Sequence, residues 1–100
     1  MEGKLDTIPD VDTIARVNSK HRQTLKAIFA LPASKTIQWV DVEALLIALG
    51  AQVYEGSGSR VKFELNGATI AFHRPHNPKT ARAYQIEMAR QFLTNMGVTP

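Results

Sequence analysis

The chain has 100 residues, of which 44% are hydrophobic, 21% charged and 7% aromatic, and it contains no cysteine. That length supports one modest core in a single domain, and the missing cysteines exclude disulfide scaffolds, thiol nucleophiles and cysteine-ligated zinc. The formal charge of +3 is unevenly placed: residues 1–57 hold six Lys/Arg against seven Asp/Glu, whereas residues 58–100 hold six against two, so the second half suits a polyanionic partner such as nucleic acid as well as plain solvent.

Residues 1–18 contain a proline and three aspartates without a clear apolar period, and are expected to form a flexible N-terminal tail, leaving 19–100 as the domain. The first fifteen residues carry four acids and no apolar block, unlike a signal peptide. The longest apolar run, Ala44 to Leu49, is far too short for a bilayer. A cytoplasmic protein without a membrane partner is therefore expected.

Ser19 has the form of a helix cap, and Leu25, Ile28 and Phe29 share one face of a helix that should stop before Leu31-Pro32, where proline disfavours helix at the residue before it. Lys20, His21 and Arg22 give its first turn the wrong sign for the helix dipole. They are either surface decoration or phosphate contacts. After the loop "PASKT", Val42, Leu45, Leu46 and Leu49 stripe a second helix that ends on Gly50. Trp39 at its start reads as a core anchor, because the apolar stripe follows it directly.

"AQVY" predicts a short strand, "EGSGS" a flexible loop, and "RVKFELNGATIAFH" a β-hairpin around Asn66-Gly67, the preferred type I′ dipeptide. Val61, Phe63, Leu65, Ala68, Ile70 and Phe72 then face one way, and Arg60, Lys62, Glu64, Thr69, Ala71 and His73 the other. Register follows from the turn. Pairing Leu65 with Ala68 and counting outward sets Arg60 opposite His73, with β-carbons about 5 Å apart. Asn77-Pro78 reads as an N-cap with proline at the first helical position, placing Lys79 and Arg82 in or near the first turn. Ile86, Ala89, Phe92, Leu93 and Met96 stripe this last helix, which Gly97 closes. The order is helix, helix, three antiparallel strands, helix: an α+β fold with helices on one face of a three-stranded meander.

The chemistry collects in "FHRPH", residues 72–76. As a metal site it supplies two histidines at most, and no metal or other cofactor is expected. "EGSGS" lacks the Gly-Lys-Ser/Thr ending of a phosphate-binding P-loop and leads into a strand, so it reads as a mobile connection whose amides could still touch a phosphate. Ser57 and Ser59 have no acid–histidine pair that the sequence can set beside them. What remains is a patch of Arg60, Lys62, His73, Arg74 and His76, near a helix start bearing Lys79. Histidine can serve as base or acid in RNA cleavage without metal, and cations stabilise the charge that builds on the phosphate. The same patch would serve phosphate binding without chemistry.

The phrases "DVEALLIALGAQV", "EGSGSRV" and "FHRPHNP", in this order of elements, resemble the HicA family of small bacterial toxins from about Ser19 to Val98. The resemblance implies a fold similar to double-stranded-RNA-binding domains, α-β-β-β-α, here with an additional N-terminal helix. It also implies an mRNA-cleaving ribonuclease held inactive by a HicB-like antitoxin, with RNA and that antitoxin as partners. The family usually reads Gly-Ser-His at the start of the hairpin, with that histidine as the proposed catalytic residue. This chain reads Gly58-Ser59-Arg60. The family's Pro-x-His is matched loosely by Arg74-Pro75-His76. The expected site is therefore His73 and His76 as acid–base groups, with Ser59, Arg60, Lys62, Arg74 and Lys79 on RNA or phosphate, His73 replacing the family's histidine across the ladder from Arg60. An RNA-binding module without catalysis, and a protein-interaction module whose basic face docks an acidic partner, are the alternatives.

Overall fold

A computed structural model of the protein describes residues 18–100. The expected tail at 1–18 lies outside the described residues except for Asn18. Helix α1 spans Ser19–Phe29, and its N-cap is Asn18, one residue before the expected Ser19. The Asn18 carboxamide oxygen accepts the His21 amide at 2.9 Å, satisfying one of the amides that a first turn leaves free. Lys20, on the basic first turn, places its ammonium 3.4 Å from Asp41. At the other end, Arg90 of the last helix donates from Nε to the Ile28 carbonyl at 2.9 Å, engaging a carbonyl that the helix end leaves free.

Helix α2 spans Trp39–Ala48, strand β1 Gln52–Glu55, β2 Arg60–Leu65, β3 Ala68–His73 and helix α3 Ala83–Asn95. The strands form one antiparallel sheet in the order β1-β2-β3. Asn66 at φ 53° and Gly67 at φ 83° supply the two left-handed residues of the hairpin turn, as a type I′ turn requires. Leu65 accordingly faces Ala68 and Arg60 faces His73. This is the α+β arrangement expected from the sequence, with α1 as the additional helix.

The inner sheet residues Val61, Phe63, Leu65 and Phe72 share one buried cluster with Leu25 and Ile28 of α1, Val42, Leu45 and Leu46 of α2, and Ile86, Ala89 and Leu93 of α3. Trp39 is 3% exposed and meets Phe72 edge-on, with ring centroids 4.9 Å apart. It is a core anchor, and the sheet's other face is left to solvent.

The start of α3 corrects the sequence reading. Asn77-Pro78 does not cap it, and Lys79 is not in its first turn, because the helix begins at Ala83 with Arg82 as N-cap. Residues 79–81 are held extended against 37–39. The Trp39 amide donates to the Lys79 carbonyl at 3.0 Å and the Ala81 amide to the Ile37 carbonyl at 2.8 Å, around a bridge between Gln38 and Thr80. Backbone groups committed to another segment cannot also close helical turns. At the C-terminal end, Gly97 has φ 80° and the Val98 amide returns to the Leu93 carbonyl at 2.9 Å, the glycine stop expected there. Among the described residues, no helix is long and apolar enough to cross a membrane.

Candidate functional site

The candidate site sits at the open end of the β2–β3 hairpin. The loop Gly56–Ser59 connects β1 to β2, with Gly58 at φ 64°, and the Gly56 amide donates to the Arg60 carbonyl at 2.9 Å. The Arg74 amide donates to the Ser59 carbonyl at 2.9 Å, extending the ladder past its last side-chain pair. Arg60 and His73, directly opposed and both exposed, form that last pair. Ser59 Oγ lies 3.4 Å from His73 Nδ1, a long contact at the edge of hydrogen bonding. A hydroxyl and an imidazole thus meet where the sheet ends, with Arg60 on the neighbouring strand directly opposite.

His73 borders two shallow depressions. One, of about 390 Å³, runs toward the start of α3 and is lined by Ser59, His73, His76, Arg82, Tyr84 and Gln85 among others. The other, of about 660 Å³, runs along the solvent face of the sheet past Arg60, Lys62, Ala71 and Tyr54. Both histidines therefore share one concavity, while Arg60 and Lys62 line the next.

The His73 backbone is held from behind. Gln85, 2% exposed, donates from Nε2 to the His73 carbonyl at 2.8 Å and accepts the Arg82 amide at 2.9 Å through Oε1. One buried carboxamide thus ties the end of β3 to the start of α3. It satisfies both groups at once.

Arg74 also lines the depression that His73 and His76 share, whereas Lys79 stands apart. The Arg74 guanidinium is committed to carboxylates, with Nε 2.6 Å from Glu43 and Nη1 2.6 Å from Glu55, and Nη2 reaching both acids. Its pKa is raised above the ordinary arginine value, first by the hydrogen bonds to Glu55 and then by those to Glu43. Reciprocally, the bond from Arg74 holds the Glu55 carboxyl below its usual 4.5. Glu43 also accepts the Trp39 indole N–H, so α2, β1 and the end of β3 are cross-linked through Arg74. Lys79 is exposed and borders neither depression.

Gln85, Tyr84, Glu43 and Tyr54 were missed as site residues by sequence reasoning, and Arg82 was noticed only for its closeness to the helix start. Tyr84 and Tyr54 are 58% and 44% exposed, and no local motif marks either. Gln85 lies next to the Ile86 stripe, where helical spacing alone would have shown that it turns inward. Among the described residues, no group of three or more His, Cys, Asp or Glu side chains is arranged to hold a metal ion.

A family model described as "HicA toxin of bacterial toxin-antitoxin" matches residues 39–97. The match begins at the first residue of α2 and covers α2-β1-β2-β3-α3, so α1 precedes it. No curated protein and no solved structure matches the chain.

Proposed function

The chain belongs to the HicA family of toxins from bacterial toxin–antitoxin systems, and on that premise we propose that it is a metal-independent ribonuclease acting on mRNA, with His73 as its principal acid–base group. The observation that carries the proposal is the pairing of His73 with Arg60 at the hairpin's open end, beside the Ser59 hydroxyl. An imidazole exchanges protons near neutral pH. A guanidinium directly across the ladder supplies fixed positive charge where a phosphate gains negative charge.

In the proposed reaction one imidazole removes the proton from a ribose 2′-hydroxyl, and the 2′-oxygen attacks the adjacent phosphorus. The bond from phosphorus to the 5′-oxygen breaks, and a protonated group delivers a proton to that leaving oxygen. The products are a 2′,3′-cyclic phosphate and a 5′-hydroxyl. His73 takes one role and His76, bordering the same depression, is assigned the other. Arg60 neutralises the reacting phosphate and Ser59 orients the His73 ring. Lys62, on the same sheet face as Arg60, contacts the RNA backbone. We assign Arg74 to bracing instead of phosphate binding, because binding phosphate would require it to leave two carboxylates. Lys79 is left as a peripheral contact to RNA.

Family membership implies an antitoxin partner. We propose a HicB-like protein that covers the His73 end of the hairpin. The test is expression in a bacterial host. The proposal expects growth arrest, loss of full-length mRNA, fragments ending in 2′,3′-cyclic phosphate, and relief by the product of the adjacent gene. RNA retained without fragments would favour binding alone, a reading that Arg60 supports by standing where the family resemblance expects histidine.

A further inference from the structure

The solvent face of the sheet carries three rows of outward residues. Strand register sets Tyr54 beside Lys62 and Lys62 beside Ala71 in the middle row. The row nearest the open end holds Arg60 and His73, with Gly56 bonded through its amide to Arg60. The row farthest from it holds Gln52, Glu64 and Thr69. Successive rows are two strand residues apart, about 6.6 Å.

We infer that this face is a nucleobase platform for single-stranded RNA: Tyr54 stacks a base of the nucleotide next to the phosphate held by Arg60 and His73, with Lys62 between them. The inference rests on the RNA-binding part of the function proposed above and names where the strand runs.

The Tyr54 ring is pinned yet open. Its hydroxyl donates to Gln52 Oε1 at 2.8 Å and reaches Glu64 Oε1 at 3.3 Å, and the Lys62 ammonium stands over one face of the ring, 5.2 Å from its centroid, so that a base would stack on the other. The residue nevertheless keeps 44% of its surface exposed. A fixed aromatic beside cations is the combination that single-strand binders use, because every base offers a π-face and every linkage a negative charge. Space is reserved as well. Ala71 contributes only a methyl beyond Lys62, and a β-carbon on Gly56 would lie 3.0 Å from Arg60 Cβ, so this glycine leaves the approach to Arg60 clear.

Charge complementarity selects RNA over an acidic protein segment as occupant. Of the acids near the cationic rows, Glu55 is paired with Arg74, and Glu64 stands in the row farthest from Arg60, accepting a hydrogen bond from the Tyr54 hydroxyl. Arg60 and Lys62 have no carboxylate within ion-pair distance among the described residues. An extended phosphate chain running from His73 toward Tyr54 meets both cations in succession. A side-chain carboxylate meets one.

The test uses the full chain and a short unstructured oligoribonucleotide carrying 2′-O-methyl groups, which binds but lacks the attacking hydroxyl. A second probe has the same backbone with abasic sites. Tyr54→Ala is expected to weaken binding of the first probe on the order of tenfold and to leave the second almost unchanged. Tyr54→Phe and Tyr54→Trp should bind like wild type, with the new tryptophan's fluorescence quenched by the base-bearing probe. Unfolding midpoints confirm that each variant is folded. Equal affinity of Tyr54→Ala and wild type, or equal losses for both probes, would overturn the platform. Loss of antitoxin binding by Tyr54→Ala with RNA affinity intact would also overturn it, in favour of a protein contact. The platform and the chemistry fail separately: Tyr54-dependent binding without cleavage of unmethylated RNA removes only the catalytic reading, whereas cleavage indifferent to Tyr54 removes only the platform. A chain that binds neither probe removes the platform outright.

Discussion

Arg60 and His73 face each other as the last of the six side-chain pairs of the β2–β3 ladder, counted from Leu65 and Ala68, and the turn at Asn66-Gly67 sets their register. Their side chains leave the sheet on its solvent face, and the proposed function has Arg60 hold phosphate beside His73. Replacing Arg60 by Ala should weaken RNA binding and reduce the magnitude of the slope of log K against log salt by about 0.7, the share of one single-strand phosphate contact. Titrations at several salt concentrations check this. An unchanged slope would remove Arg60 from the phosphate.

Arg74 is predicted to matter for stability more than for RNA. Arg74→Ala strips Glu43 and Glu55 of their charged donor and should destabilise the fold by about 1–3 kcal/mol, mostly through the more enclosed Glu43. Affinity for RNA per folded molecule should stay within about twofold of wild type, a change too small to correspond to one lost charged contact. Denaturant unfolding and binding at low temperature separate the two effects.

The same bracing predicts an acid limb. Glu55 is held below its usual 4.5 by the hydrogen bond from Arg74, so the folded state releases this proton more readily than the unfolded chain. Its contribution is fully present above 4.5 and is lost as pH falls through the depressed value. Unfolding midpoints measured against pH should therefore decline less steeply on the acid side in Glu55→Gln than in wild type.

Gln85 tests whether the backbone behind His73 matters. Gln85→Ala removes two hydrogen bonds from a buried position and should destabilise by about 1–3 kcal/mol. If it positions His73, turnover in the remaining folded protein should fall more than RNA affinity does. Matched losses in both would assign it a purely structural role.

The hairpin was legible because its information is local. Asn66-Gly67 sets the turn, alternation sets the faces, and counting outward delivers the Arg60–His73 pair. The brace was not legible, since Glu43 and Arg74 lie 31 residues apart and only the folded arrangement of α2 and β3 brings them together. Asn77-Pro78 misled for a related reason. Its local signal for a helix start is sound, but the bridge to residues 37–39 claims the backbone that follows it. Asn18 displaced Ser19 as cap because adjacent polar residues compete for that position, and sequence spacing does not rank them.

The proposed function has His73 move protons in metal-free RNA cleavage. Its most direct test incubates purified wild type and His73→Ala with a long unstructured RNA in EDTA. The account predicts cleavage by wild type and a loss of about a hundredfold or more in the variant, with RNA binding retained. Undiminished cleavage by a folded His73→Ala, or no cleavage by folded wild type, would contradict it.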